Sequence, residues 1–141
     1  MSITKLILML ACLMSVTLEP KGAPKKTPEK APEEAQVSPL FSKDLANLPG
    51  KEGLMITVVY PPGSSDPIHR HNAHAFVYVL EGSIVMQVKD GKEVTLTPGQ
   101  TFYEGPEDVH VVGRNASKTK PAKFVVFLVK DKGAPVFMPA K

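Results

Sequence analysis

The sequence predicts an all-β domain, a sandwich or barrel of short strands, for most of the chain. Short runs rich in β-branched and aromatic residues recur at even spacing. Turn dipeptides such as Asp90-Gly91 and Pro98-Gly99 separate these runs. No window of ten or more residues after Pro39 has the apolar spacing of a helix. Many short strands divided by turn signals are typical of a sandwich or barrel.

Residues 1–18 are predicted to be an export signal. Lys5 is followed by an apolar run from Leu6 to Leu18, which is too short to span a bilayer but suits a signal peptide. We therefore expect an exported protein, periplasmic or secreted, without a membrane span. A lipid anchor on Cys12 is the alternative, because Met9 to Cys12 loosely resembles an acylation site. Cys12 is the only cysteine, so if this segment is removed the mature domain has no disulfide and no catalytic thiol.

Residues 19–39 are predicted to be a disordered linker, and residues 40–141 to be the folded domain. The linker repeats proline at every fourth position among Lys, Ala and Glu, and it has almost no apolar side chains to bury. The domain carries twelve basic and ten acidic residues. This balance gives no basic surface of the kind that nucleic acid requires, so a nucleic-acid partner is excluded.

Within the domain the sequence predicts seven strands. Glu81-Gly82 is expected to form a two-residue hairpin between the second and third strands, and Asp90-Gly91 a hairpin between the third and fourth. A Pro-Pro-Gly turn ends the first strand at Tyr60. The predicted strands cover residues 54–60, 75–80, 83–88, 93–97, 100–104, 109–112 and 123–129.

Histidines form the most specific pattern in the chain. The sequence has four, and His69, His71 and His74 fall within six residues while His110 lies in a separate segment. His69 and His71 are two apart, so on a strand they share one face. His74 has the opposite parity and would need a bend at Asn72 to join them. Imidazole is a common ligand of Fe, Mn, Ni, Zn and Cu, so the pattern predicts a divalent metal site. The alternative is that these are solvated loop histidines.

The same residues resemble the two signature motifs of the cupins, small β-barrels of the double-stranded β-helix (jelly-roll) type. The resemblance extends over about residues 50–130, and Ala75 departs from it by standing where the family has a glutamate ligand. In the second motif Gly105 stands where proline is expected. The positions that fit the motifs are Gly63, His69, His71, Gly82, Gly99 and His110, with Asn115 one residue beyond its usual place.

The resemblance implies a ligand set of three histidines and one glutamate, and this chain lacks that glutamate. We therefore expect a site of four histidines, His69, His71, His74 and His110, with His74 beside the missing carboxylate. Glu104 is the candidate for a catalytic general base, although strand alternation does not decide which face it takes. Tyr78 and Tyr103 are the other candidate acids or bases.

Cupins include dioxygenases, isomerases, decarboxylases and lyases, so the resemblance implies a metal-dependent enzyme acting on a small molecule. We expect a dioxygenase-like oxidoreductase for an aromatic or enolic compound, with an isomerase as another option. The alternative function is a metal-dependent binding or sensing domain without turnover, because a fold does not determine a function. A homodimer is a further expectation, with residues 43–54 as a candidate edge.

Overall fold

The computed structural model describes residues 33–141, which form ten β-strands. The expectations for the export signal, for Cys12 and for most of the linker concern residues 1–32, outside the described residues, and stay predictions. No helix long and apolar enough to cross a membrane occurs between residues 33 and 141. The strands are β1 (Gln36–Asp44), β2 (Lys51–Tyr60), β3 (His69–Arg70), β4 (His74–Glu81), β5 (Ile84–Val88), β6 (Val94–Leu96), β7 (Thr101–Glu104), β8 (His110–Asn115), β9 (Ala122–Asp131) and β10 (Met138–Pro139).

The strands form two antiparallel sheets of five strands each. Sheet A has the order β1-β2-β9-β4-β7, and sheet B has the order β10-β3-β8-β5-β6. Along β9 every second residue is buried, including Phe124, Val126 and Leu128, so one face of sheet A lies on a core shared with sheet B. The predicted all-β, double-stranded β-helix fold is confirmed, and all seven predicted strands are present.

Three strands were not predicted. β1 begins at Gln36, inside the segment assigned to the linker, and it forms the edge of sheet A by pairing with β2 alone. β3 and β10 are two residues each, too short to give a periodic pattern. The homodimer expected through an edge within residues 43–54 stays a prediction.

The predicted hairpin at Glu81-Gly82 is wrong, because β4 lies in sheet A and β5 in sheet B. Gly82 has a φ of +70°, and a Cβ atom there would lie 2.6 Å from the carbonyl oxygen of Pro121. The glycine therefore lets the chain turn a tight corner from one sheet to the other. The second predicted hairpin is confirmed, since β5 pairs with β6 across a turn in which Asp90 has a φ of 63°.

The end of β8 is fastened to the neighbouring strand ends by one buried amide. The side-chain nitrogen of Asn115 donates to the carbonyls of Tyr60 at 2.9 Å, Pro61 at 3.0 Å and Lys120 at 2.9 Å. Its side-chain oxygen accepts from the backbone N–H of Ser117 at 2.8 Å. This residue therefore fixes β8, which carries His110 at its other end.

Residues 132–141, here called the C-terminal strap, run from β9 in sheet A to sheet B. At the root of the strap the buried ammonium of Lys130 donates to Glu52 at 2.5 Å and to the carbonyl of Ala134 at 2.6 Å. At its tip, Met138 pairs with Arg70 and Pro139 with His69. The strap therefore lies against the strand that holds the first histidine of the pattern.

Candidate metal centre

Four side chains converge inside the barrel and are positioned to bind a metal ion: His69, His71, Glu104 and His110. One ligand atom of each lies within 4.8 Å of those of the others. His69, Glu104 and His110 are buried, and His71 is partly buried. A set of three imidazoles and one carboxylate is a common ligand set for a divalent transition metal.

Strand register explains why these residues meet. His69 on β3 pairs directly with His110 on β8, and their ring centroids are 4.9 Å apart. Ala75 on β4 pairs directly with Glu104 on β7. Directly paired residues project to the same face, and Ala75 is fully buried, so Glu104 also points into the barrel. The carboxylate absent from position 75 is thus supplied by its cross-strand partner.

The expected role of His74 is corrected by its position. His74 is exposed, and its Nδ1 forms a 2.7 Å hydrogen bond with the Tyr103 hydroxyl on the outer face of sheet A. The expected bend does occur, since Asn72 has a φ of 48°. However, β4 then buries Ala75 and leaves His74 on the opposite face. Glu104, expected to be a general base, takes the fourth place in the group instead.

Two backbone carbonyls orient the first two imidazoles. Nδ1 of His69 lies 2.8 Å from the Pro67 carbonyl oxygen, and Nδ1 of His71 lies 2.5 Å from the Val136 carbonyl oxygen. Because a carbonyl oxygen only accepts, Nδ1 carries the proton in each ring. Nε2 is then left as the metal-binding nitrogen, the arrangement that outer partners of metal ligands usually enforce.

Among the four converging side chains, several buried atoms have no close hydrogen-bond partner. Glu104 Oε2 lies 3.4 Å from both His71 Nε2 and His110 Nδ1, too far for strong hydrogen bonds. Within residues 33–141, Glu104 Oε2 and both ring nitrogens of His110 are buried without a hydrogen-bond partner. Such atoms cost about 1–3 kcal/mol each when unsatisfied. A cation bound among them would satisfy Glu104 Oε2 and one ring nitrogen of His110, so the donor set fits a metal ion.

The charges of the group are coupled. Burial alone would raise the pKa of Glu104, but His71, His110 and His69 outweigh it and hold the pKa below its usual value. Burial likewise opposes the charge of His71, but Glu104 and the Val136 carbonyl raise its pKa above its usual value. Burial lowers the pKa of His69. A proton therefore competes with a metal ion for His71 more strongly than it would for a free imidazole.

A partly open cavity of about 100 Å³ adjoins the four residues. Its other polar groups are Tyr60 and Asp66, and the Tyr60 hydroxyl donates to Asp66 Oδ2. Burial, followed by the nearby Asp66 carboxylate, raises the pKa of Tyr60 far above its usual value, so its hydroxyl stays protonated. The rest of the wall is apolar and includes Ile56, Val58, Val77, Met86, Phe124, Val126 and Leu128.

Sequence reasoning missed both Tyr60 and Asp66. The alternation of Ile56, Val58 and Tyr60 on one strand was a usable signal, since residues two apart share a face. Asp66 lies in an irregular loop, where no period indicates direction. Tyr78 and Tyr103, the tyrosines proposed from sequence, are about half exposed on the outer face of sheet A.

Gly113→Ala is expected to weaken metal binding. A Cβ atom there would lie 2.9 Å from His110 Cε1 and 3.1 Å from the Tyr60 hydroxyl oxygen. Displacing the His110 ring should cost about 1–3 kcal/mol of folding stability and lower metal affinity, measured by thermal unfolding and metal titration. Gly53→Ala is the control, because its Cβ atom would crowd Phe127 at 3.0 Å without touching the group. Equal metal affinity in the two variants would contradict the expectation.

The fold and the site together define a β-barrel protein with four interior side chains positioned to bind a metal ion. Residues 56–128, just over half of the chain, match the family model of the cupin domain, Cupin_2. The chain therefore belongs to the cupin family, as its motifs predicted. No curated protein has significant sequence similarity to it.

Solved structures of cupin type are similar to this chain. A protein with a double-stranded β-helix domain from Klebsiella pneumoniae has a TM-score of 0.61 at 18% identity, covering 82% of this chain and 90% of that one. The DMSP lyase DddQ from Ruegeria pomeroyi has a TM-score of 0.56 at 19% identity, over 62% of this chain. The match spans only 43% of the lyase. At these identities the likeness shows the fold alone.

A third similar structure is the Cupin_2 domain of an XRE family transcriptional regulator from Enterobacter cloacae. It has a TM-score of 0.52 at 27% identity, covering 67% of this chain and 94% of that domain. The similar structures thus include both an enzyme and a domain of a regulatory protein.

Proposed function

We propose that this protein is a metal-dependent enzyme that acts on a small organic compound, with one divalent ion held by His69, His71, Glu104 and His110. The observation that carries the proposal is the group of buried, unpartnered atoms on Glu104 and His110 at the wall of a cavity. Iron, manganese, nickel, zinc and copper all suit three imidazoles and one carboxylate. Bound there, the ion would supply Lewis acidity, or redox chemistry if it is iron, manganese or copper.

The cavity limits what the site can hold. Its volume of about 100 Å³ is smaller than the roughly 150 Å³ that encloses a benzene molecule. Its wall is apolar except on the side of the histidines, Tyr60 and Asp66. We therefore infer a substrate of a few non-hydrogen atoms inside the cavity, with an apolar body and a chelating oxygen end such as a carboxylate or enolate.

The pair of Tyr60 and Asp66 favours turnover over binding alone. Turnover needs an acid or base near the substrate as well as the metal site. Tyr60 can donate a hydrogen bond but not accept a proton, since its pKa is raised. Asp66 lines the cavity beside the four residues and accepts the hydrogen bond of the Tyr60 hydroxyl, so it is the carboxylate we assign to accept a proton from a substrate. Among the reactions open to such a site, we favour a dioxygenase-like oxidation in which molecular oxygen is the co-substrate.

The metal is tested by elemental analysis of protein purified without an affinity tag, followed by titration of the metal-free protein. We expect one divalent transition metal ion per chain. Affinity should rise with pH until it passes the raised pKa of His71, because a proton competes with the ion for that ring. Absence of a transition metal above background, together with no binding in the titration, would overturn the proposal.

Turnover is tested with the loaded protein, a panel of small carboxylates and enols, and an oxygen electrode. Under the proposal, oxygen uptake depends on the substrate, and Asp66→Asn abolishes it while metal content is retained. The second candidate function is a ligand-binding domain, favoured by the likeness to a domain of a transcriptional regulator. Saturable ligand binding without consumption of any compound, unchanged in Asp66→Asn, would support that function instead.

A further inference from the structure

We propose that the C-terminal strap is a working part of the metal centre, which positions His69 and His71 and is itself held in place when metal binds. This inference rests on the metal site of the proposed function and extends it to residues outside the ligand group. Val136 and Phe137 are the positioning residues. Both lie on the wall of the cavity beside the four ligands.

The first contact is between Val136 and His71. These residues are 65 positions apart in the chain, yet the Val136 carbonyl accepts the hydrogen bond of His71 Nδ1 at 2.5 Å. This bond fixes both the tautomer and the direction of the ring, with Nε2 toward Glu104. Loss of the bond would let the ring rotate and let the proton move to either nitrogen. Outer partners of this kind typically change metal affinity by about 10–100-fold.

The second contact is between Phe137 and His69. The two rings are stacked, with centroids 4.4 Å apart and planes at 22°. The next residues continue the attachment, since Pro139 pairs with His69 and the Ala140 N–H donates to the Ile68 carbonyl at 3.2 Å. The strap thus covers one face of the His69 ring and restrains β3, which has only two residues.

The root and the tip of the strap are held by separate interactions. Lys130 and Glu52 anchor the root, where Glu52 also accepts from the Gly133 N–H at 3.2 Å. The tip is held by the two-residue pairing of β10 with β3, the hydrogen bond from Ala140 to Ile68, the packing of Val136 and the contacts to the two histidines. Segments with so few interactions open at low free-energy cost. The tip can therefore detach while the barrel and the root stay folded.

Coupling between two sites is reciprocal. If the attached tip improves metal affinity, bound metal must stabilise the attached tip by the same factor. The strap is then an ordered cover in the metal-loaded protein and a looser segment in the metal-free protein. Access to the cavity would depend on metal loading, because Val136 and Phe137 line its wall.

The first test is a full-length chain compared with a chain that ends at Pro135, titrated with Zn²⁺ against a chelating dye. The shortened chain keeps Ala134 and Gly133, and hence both anchors of the root. We expect its Zn²⁺ affinity to fall 10–100-fold. Phe137→Ala should have a smaller effect, because the Val136 carbonyl remains. Phe41→Ala is the matched control, since it removes the same side chain from an exposed position on β1.

Loss of stability alone is separated from positioning by Gly53→Ala, which strains the barrel away from the ligands. Affinity of the shortened chain equal to that of Gly53→Ala or of the wild type would overturn the inference. Hydrogen exchange gives an independent readout. The Ala140 amide should exchange more slowly in the Zn²⁺-loaded wild type than in the metal-free wild type. Equal exchange rates in the two states would also overturn the inference. If the wild type binds no metal, the proposed function itself fails. If the wild type binds metal and the shortened chain binds it equally well, only the inference about the strap fails.

Discussion

Replacing Glu104 with glutamine is expected to weaken metal binding by more than about a hundredfold, because loss of an outer partner alone already costs about 10–100-fold. The change removes the single carboxylate of the group and keeps the volume of the side chain. The ion would then be coordinated by three neutral imidazoles. The N–H groups of the buried amide would also compete with the ion for the acceptor atoms of the site. Titration of metal-free protein with Zn²⁺ and with Mn²⁺ measures the effect.

Two controls define the expectation for Glu104. Glu107→Gln changes an exposed glutamate in the next turn, and His74→Ala removes the histidine on the outer face; neither should change affinity measurably. The double variant Ala75→Glu with Glu104→Ala moves the carboxylate to its cross-strand partner and should recover part of the binding. Loss of metal binding in His74→Ala together with retained binding in Glu104→Gln would support the four-histidine site instead.

Replacing Asn115 with alanine is expected to give the largest loss of folding stability, about 3 kcal/mol or more. The carbonyls of Tyr60 and Lys120 would lose the Asn115 donor, while the Pro61 carbonyl keeps the Ser64 N–H. Each unsatisfied buried group costs about 1–3 kcal/mol. Alanine also leaves the Ser117 N–H without its acceptor. Urea unfolding at neutral pH measures the free energy. Asn47→Ala, in an exposed turn, is the control and should stay within about 0.5 kcal/mol of wild type.

A loss below about 1 kcal/mol in Asn115→Ala would contradict this role. The effect on metal affinity should be smaller than that of Glu104→Gln. Asn115 is at the opposite end of β8 from His110 and touches the strand ends rather than the ligand group.

Local patterns predicted the strands, because period-2 alternation and turn residues are properties of short stretches of sequence. The first four residues of β1, 36–39, end in Pro39 and follow the proline repeat directly, so their sequence indicated a linker rather than a strand. The corner at Gly82 was mistaken for a hairpin for a related reason. The turn signal gives the local conformation but not the sheet to which the next strand belongs.

The site was predictable where it depended on spacing along one segment and on motif resemblance. His69 and His71 share a face because they are two apart, and His110 followed from the motif. The choice between His74 and Glu104 depended on the register of β4 against β7, which is a contact between distant segments. The residue pattern of β4 or of β7 taken alone does not indicate how the two strands are aligned. The contact of Val136 with His71 was hidden for the same reason.

Three of the four candidate ligands lie in the sheets, with Glu104 in sheet A and His69 and His110 in sheet B, while His71 directly follows β3. An ion held by them would be a cross-link between the two layers of the barrel. Cross-links of this kind restrict the unfolded chain and make it harder for the layers to separate. After Cys12 the sequence has no cysteine. The availability of metal, rather than the formation of disulfides, would then determine how strongly the two sheets are held together.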